Sequence, residues 1–438
     1  MTLASDFKAT PYWWNAAPVG AGNAEAPPAR ADVVVVGSGI TGIHTALELA
    51  KNGRSVVVVE AGEIGCGSSR RNNGTIVPYL YLKQYQLEEK FGDERGAAIG
   101  RIAADAVDYL LETCESLAID AQIKELDRYF LALTEKHCHQ LHHSAELQAR
   151  SGIKTGWQPI AADELEARTG LLGYAGGVFT SRSLAMHPGL YHQGVVRAAE
   201  AAGATTVAQA RVTALRSGAG GYIVSTSRGE ITAREVVVAT NGYTGAPFDF
   251  AGKRLMNVRI YMAATEPLAD SNAAARFAAR HLLVDSKTNI TWLRPTPDGT
   301  RLLVGGRGGM GGDDPEEHAR VLHADMVRLI PELESIKIEH CWYGIEGFPL
   351  NLVPHLSSRD GLHHVLGFCG VGMTVGGFLG NRLARRIVGD ADDSPLDGVS
   401  FPIVPLRNLY AGAGVAYIDL MDWWETRARK RAGFRAVR

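Results

Sequence analysis

The segment Val33–Gly42, VVVVGSGITG, joins four consecutive valines to three glycines set two and three residues apart. A run of β-branched residues marks a strand buried on both faces, and the bare turn after it lets backbone come close to a ligand. Gly37 permits the tight turn, Gly39 lets backbone approach phosphate, and Gly42 lets the next helix pack on the strand. Ile40 and Thr41 open that helix, whose free N–H groups and positive dipole end suit a dinucleotide pyrophosphate. The helical pattern IHTALELAKNG (Ile43–Gly53) stops at Asn52–Gly53, and SVVVVE (Ser55–Glu60) reads as a second buried strand. Glu60, with Ala61 beside it, offers a carboxylate to ribose hydroxyls, which favours FAD or NAD over NADP.

The next stretch, AGEIGCGSSRRNNGTIVP (Ala61–Pro78), separates those two nucleotides. A NAD enzyme ordinarily enters its next helix here. A loop of Gly, Ser, Asn and Arg instead presents hydroxyls, amides and backbone N–H groups to a longer and more polar ligand, so FAD is preferred. Ser69, Asn72 and Gly74 are the leading contacts.

Composition fits this picture. At 438 residues two domains are expected, and a hydrophobic content of 46% argues against extensive disorder. A formal charge of −2 without a basic block points away from nucleic acid and anionic membranes. No apolar run is long enough to span a bilayer, and the N-terminal arm has no signal-peptide core; Tyr12, Trp13 and Trp14 are expected to pack it onto the body. The five scattered cysteines form no disulfide framework, so a cytoplasmic location is expected. His139 and His143 have metal-ligand spacing on a helix, but no further ligand is placed by sequence, and a surface face is favoured with no metal expected.

On the turn, the acid and the polar loop, the chain resembles the D-amino-acid-oxidase-like (DAO) FAD-dependent oxidoreductases, the group containing glycine oxidase, sarcosine oxidase and gamma-glutamylputrescine oxidoreductase. That group writes the loop as G-x-S-G-R-N-G-G, matched by Gly67, Ser69, Arg71, Asn72 and Gly74, with Ser68 inside it; Arg70 and Asn73 replace usual glycines. MHPGLYHQGVVRAAEAAGATTVAQARVTALRS (Met186–Ser217) is similar to the returning helix and strand, with Val212 near the adenine. GLHHVLGFCGVGMTVGGFLGNRLARRIVG (Gly361–Gly389) is similar to the last FAD-domain strand, loop and helix. There Gly370, Gly372, Met373 and Thr374 would face the pyrimidine side of the flavin and stabilise its charge when reduced.

The resemblance, over about residues 30–392, implies an α/β fold. It has a Rossmann-like, glutathione-reductase-like FAD-binding domain and a discontinuous α+β substrate domain on a mostly antiparallel sheet. The FAD domain is expected at 30–83, 184–247 and 340–392, the substrate domain at 84–183 and 248–339, and a C-terminal extension at 393–438. Arg71 stands where one branch carries a flavin-linking histidine, and Cys341 is three residues from a flavin-linking cysteine position, so non-covalent FAD is implied.

Tyr261, Trp292 and Arg294, on substrate-domain strands, are the catalytic candidates, Arg294 holding a substrate carboxylate by two parallel hydrogen bonds. Lys287, Glu346 and His355 follow. The implied reaction oxidises the C–N bond of a small amine or N-substituted amino acid to an imine, oxygen accepting the electrons to give hydrogen peroxide. No lysine lies in RLLVGG (Arg301–Gly306), where some sarcosine oxidases keep an oxygen-activating one. A dehydrogenase passing electrons to a quinone or electron-transfer protein therefore stays open, as do a non-catalytic flavoprotein in complex assembly and an oligomeric state.

Overall fold

Val33–Val36 and Val56–Val59 pair side by side in parallel, and all eight valines are at most 5% exposed. Such strands need cover on both faces, and the surrounding helices and hairpins are arranged to give it. A computed structural model describes residues 2–20, 26–153, 155–218, 220–268, 277–287, 289–307, 314–390 and 393–405. In chain order the strands are β1 (Leu3–Lys8), β2 (Arg30–Val36), β3 (Val56–Val59), β4 (Thr75–Ile76), β5 (Lys124–Leu131), β6 (Gln158–Ile160), β7 (Gly177–Ala185), β8 (Thr205–Val207), β9 (Val212–Gly218), β10 (Gly221–Thr226), β11 (Gly229–Val238), β12 (Met256–Thr265), β13 (His281–Asp285), β14 (Thr291–Pro295), β15 (Leu302–Arg307), β16 (Ile338–Phe348), β17 (His355–Arg359) and β18 (Leu362–Leu366). The helices are α1 (Ile40–Lys51), α2 (Gln84–Phe91), α3 (Asp93–Ser116), α4 (Glu135–Arg150), α5 (Ala162–Thr169), α6 (Pro188–Ala201), α7 (Asp249–Gly252), α8 (Pro315–Leu329) and α9 (Gly372–Ile387).

The strands make two sheets. One runs β17-β18-β11-β2-β3-β8, parallel from β18 to β8, with β9 and β10 added as an antiparallel meander on β11. Helices α1, α3, α6 and α9 cover one face in a single apolar core, and the meander covers the other. This is the dinucleotide-binding arrangement, in which the crevice lies beyond the carboxyl ends of the central strands. The second sheet runs β1-β16-β12-β15-β14-β13-β5-β7-β4, with β6 on β7; it is antiparallel apart from β1/β16 and β5/β13. Helix α8 buries one of its faces against Tyr261, Val304 and Cys341.

The expected α/β architecture is present, but the two sheets divide the chain differently from the expected boundaries. Helix α3, assigned from its sequence to the substrate domain, contributes Ile99, Ile102, Ala106 and Leu110 to the core beneath α1 and α9. Its apolar stripe fits either sheet, and the periodicity does not say which. The boundary at 339/340 falls inside β16, which pairs with β12 over its length, and β4, within 30–83, belongs to the larger sheet. Pro297-Asp298-Gly299 makes the hairpin turn between β14 and β15, with Gly299 at φ 72°. The tail from residue 406 lies outside the described residues. Among the described residues no helix is long and apolar enough to cross a membrane.

The N-terminal arm is part of the body. Trp13 is fully buried, its Nε1 donates to the Asn72 carbonyl at 2.8 Å, and its ring meets His187 edge-on at 4.8 Å. We predict that Trp13→Ala lowers the unfolding free energy by about 3–5 kcal/mol. Urea denaturation checks this, and a loss below about 1 kcal/mol would show the arm to be dispensable.

Candidate active site

Beyond the ends of β2 and β3 lies a cavity of about 450 Å³. Its floor is the glycine turn. Gly37 has φ +101°, and a Cβ there would sit 3.0 Å from the Ala239 carbonyl oxygen. Gly39 is the extended N-cap of α1, and neither it nor any neighbour caps the helix with its own side chain except Ser69, whose Oγ accepts the Ile40 N–H at 2.8 Å. Gly37, Gly39, Ile40 and Thr41 line the cavity. Gly42 does not: a Cβ on it would lie 2.0 Å from the Gly37 oxygen, so its part is helix-to-turn packing.

Glu60, Ala61 and Val212 form the far wall. The Glu60 carboxylate accepts from Ser38 N (2.9 Å), Ser38 Oγ (2.7 Å) and Gly62 N (3.2 Å), which fixes it at the cavity edge. At the opposite end α9 begins, also without a side-chain cap. Gly370 has φ +89° with nothing within 4 Å of where its Cβ would point, and Gly372 and Met373 line the wall beside it. Two helix starts, the first with Ser69 on its Ile40 N–H and the second without a side-chain cap, thus direct N–H groups and dipole ends at one space. Thr374 stands back; its Oγ1 accepts the Val77 N–H at 3.0 Å.

The polar loop supplies the third side through Gly67, Ser68, Ser69, Arg71 and Asn72. Asn72 is committed to the loop, Nδ2 donating to the Ser68 and Ser69 carbonyls at 3.1 and 2.9 Å and Oδ1 accepting the Gly74 N–H at 2.7 Å. Arg71 donates to the Cys66 and Tyr343 carbonyls and lies 4.8 Å from the Trp14 ring. Gly74 is corrected from a cofactor contact to a packing position, because a Cβ there would be 2.2 Å from the Met186 oxygen, away from the cavity. Arg70, one of the two departures from the loop pattern, turns to the N-terminal arm and donates to the Ala17 and Pro18 carbonyls.

A second cavity of about 510 Å³ opens over the larger sheet, and it shares Ser68, Arg71, Asn72, Glu346 and Gly370 with the first. Trp292 lines it, with Tyr79, Tyr81, Ile260 and Met262. Tyr261 does not. On a strand neighbours point to opposite faces, so with Ile260 and Met262 turned inward Tyr261 turns out, stacked on His318 with 3.4 Å between centroids. Arg294 is also corrected. It is 1% exposed and lines neither cavity, and its donors go to the Asn73, Pro295 and Met186 carbonyls at 2.6, 3.0 and 3.1 Å. It lies 5.5 Å from the Trp13 ring and ties the loop to the arm.

Lys287 lines the second cavity and is paired with Asp325 at 3.1 Å. His355 is remote, stacked on Phe401 and bonded to Asn351. Cys341 lines neither cavity, and burial pushes its thiol up to about 12. His139 and His143 are exposed, and no metal-binding cluster exists among the described residues.

Glu346 holds the junction. Burial pushes its carboxyl up to about 7, against the lowering effect of Asn241, whose Nδ2 donates to it at 3.4 Å, and of the Gly370 backbone. Sequence reasoning missed Arg128, which lines the second cavity at 6% exposure. Its signal was an arginine between Leu126 and Phe130 on one face of KELDRYFL (Lys124–Leu131).

Against known proteins, the model of a family described as FAD dependent oxidoreductase (DAO) matches residues 32–386, and the chain belongs to that family. It is 27% identical over 398 residues to gamma-glutamylputrescine oxidoreductase of Escherichia coli, covering 89% of this chain and 92% of that one. A probable oxidoreductase OrdL of Haemophilus influenzae is 26% identical over 406 residues, covering 90% and 92%. Among solved structures, glycine oxidase from Geobacillus kaustophilus superposes with a TM-score of 0.72 at 20% identity, covering 86% and 99%, a likeness of fold.

FAD is the cofactor of this family, and the first cavity fits it. The start of α1, the open cradle at Gly370 with the start of α9, and the pinned Glu60 match a pyrophosphate, a pyrimidine edge and a ribose in turn. A leucine at Gly39 would project where backbone must meet phosphate. We predict that Gly39→Leu purifies with less than roughly a tenth of the wild-type flavin absorbance while keeping its far-ultraviolet circular dichroism. A fully flavinated variant would remove Gly39 from the site.

Proposed function

We propose that this DAO-family oxidoreductase oxidises the C–N bond of an amine or N-substituted amino acid to an imine, with oxygen as acceptor, and that its FAD is held without a covalent bond. The observation that carries the reading is the meeting of the two cavities at Ser68, Arg71, Asn72, Glu346 and Gly370. Bound there, FAD supplies a hydride acceptor. The chain must then present a C–H with an unprotonated nitrogen and keep water away. Tyr79, Tyr81 and Trp292 give the second cavity an aromatic wall that favours the neutral amine. Glu346 is the proton acceptor for the arriving ammonium, since a carboxyl near 7 is ionised in part at neutral pH and close in affinity to its task. The N-terminus of α9, at Gly372 and Met373 in the cofactor cavity, would stabilise negative charge on a reduced flavin held there. Two relatives bear names that make gamma-glutamylputrescine and glycine their substrates, which supports a C–N donor here.

One observation favours a second acceptor. Strand β15 carries no lysine, and Lys83 and Lys287 line the second cavity but not the first. A quinone or electron-transfer protein would then take the electrons. In air, peroxide formed in step with amine consumed supports the oxidase; anaerobic bleaching without aerobic peroxide supports the dehydrogenase.

The pH dependence follows from Glu346. Its ionised form dominates above about 7, so kcat/KM for flavin bleaching rises with pH through that value. Glu346→Gln removes this rise and lowers the plateau on the order of 100-fold. A profile that keeps its inflection near 7 in the variant would assign the proton to another group.

A further inference from the structure

Among the described residues Arg128 has no counterion. It sits mid-strand on β5, is 6% exposed, and no carboxylate pairs with it among the described residues. Its Nε is buried without a hydrogen-bond partner, while the rings of Tyr79 and Trp157 lie 5.2 and 5.7 Å from the guanidinium carbon. The Tyr79 hydroxyl is the polar neighbour it has. Burial lowers its proton affinity, yet a guanidinium stays charged at any physiological pH. Arg294, equally buried, shows what a structural arginine looks like here, with three carbonyls around its fork. Aromatic faces solvate a cation only weakly, so a bare buried guanidinium is costly unless something else completes it. Gln148 Oε1, on the same cavity wall, is a second buried polar atom without a partner.

The distance to the junction sets what can complete it. Thr75 on β4 and Lys124 on β5 both face Ala185 of β7, so Arg128 is two strands across and four residues along from Thr75. At ~4.8 Å per strand and ~3.3 Å per residue this is roughly 16 Å between backbones. Thr75 follows directly on the loop that carries Arg71 and Asn72 to the junction. With the arginine side chain extended along the wall, about 10 Å remains between its fork and the Thr75 end of that loop, some eight bonds of extended chain at ~1.2 Å each, which we take as the span to be bridged.

We propose that Arg128 anchors a carboxylate at the far end of the substrate, which is an elongated amine with its reacting C–N bond at the junction and its anionic end across the aromatic cavity. This rests on the C–N oxidation proposed above and names its substrate class. A planar fork with a free Nε matches a carboxylate in two parallel bonds. The aromatic wall between the ends suits a methylene or amide chain. A short amino acid with its carboxylate beside the reacting carbon leaves Arg128 bare.

The test compares ω-amino acids of increasing length, from glycine to 12-aminododecanoate, with n-alkylamines of equal length, by anaerobic flavin bleaching of the holoenzyme. The acid-to-amine ratio of kcat/KM is expected to rise on the order of 10- to 100-fold once the chain reaches about eight bonds. Arg128→Met brings the ratio to about one and Arg128→Lys retains part of it. Without ligand, Arg128→Met has a melting temperature equal to or above that of the wild type, because a lone buried charge is gone. Octanoate raises the wild-type melting temperature and leaves Arg128→Met unchanged, whereas octanamide moves neither. A ratio unchanged in Arg128→Met, a maximum at glycine, or a variant that melts earlier with its ratio intact overturns the proposal. If no amine bleaches the flavin, the C–N reading fails, and octanoate still decides Arg128: stabilisation lost in Arg128→Met supports the anion site, and no wild-type stabilisation refutes it.

Discussion

Two helices cross here almost without side chains between them. A Cβ at Gly380 would lie 2.4 Å from the Thr41 carbonyl, one at Gly376 2.7 Å from Thr41 Oγ1 and one at Gly377 2.9 Å from the His44 ring. With Gly42 pressed on Gly37, the crossing brings the starts of α1 and α9 to the same cavity. Their dipoles would repel if nothing negative lay between them. FAD would satisfy both, its pyrophosphate held by the start of α1 and its reducible ring by the start of α9. The crossing also explains His44, which is fully buried, held neutral by burial with its pKa down to about 3, and bonded to Tyr109 and Tyr191. The core under the cofactor tolerates a polar ring because each nitrogen has a partner.

The second sheet adds to the cofactor cavity a neighbouring one that opens into it. One face is packed on α8, and the other walls a cavity that mixes aromatic and apolar residues with polar and charged ones. Glu346 stands at the mouth shared with the cofactor cavity, and Arg128 stands deep within the wall. Low dielectric acts on both, raising the carboxyl toward neutrality and leaving the guanidinium in need of an anion.

Much of this was legible in the chain. The valine strands, the glycine turn, Glu60 and the Gly370–Met373 loop each announce themselves through residue types that few other local structures require. The corrected residues depend on direction, which composition does not carry. Tyr261 and Ile260 are equally good strand residues, and the register between β12 and β16 decides which faces the cavity. Arg294 reads as a free cation until three carbonyls from distant segments are seen around it. Gly74 and Thr374 sit in motifs whose neighbours touch the cavity while they brace the backbone behind. Arg128 was overlooked because a strand arginine is ordinarily solvated, and its burial arises from Tyr79 and Trp157, far away in sequence. The boundaries failed where α3 and β16 crossed between units, since an apolar stripe does not name its partner.

The most direct measurement is an experimental structure of the protein purified with its flavin. The account predicts ring density bounded by Arg71, Asn72, Glu346 and Gly370, open toward the cavity that contains Arg128, with the pyrophosphate at the Gly39–Thr41 turn. A ring folded away from Glu346, or one sealed from the second cavity, would contradict it.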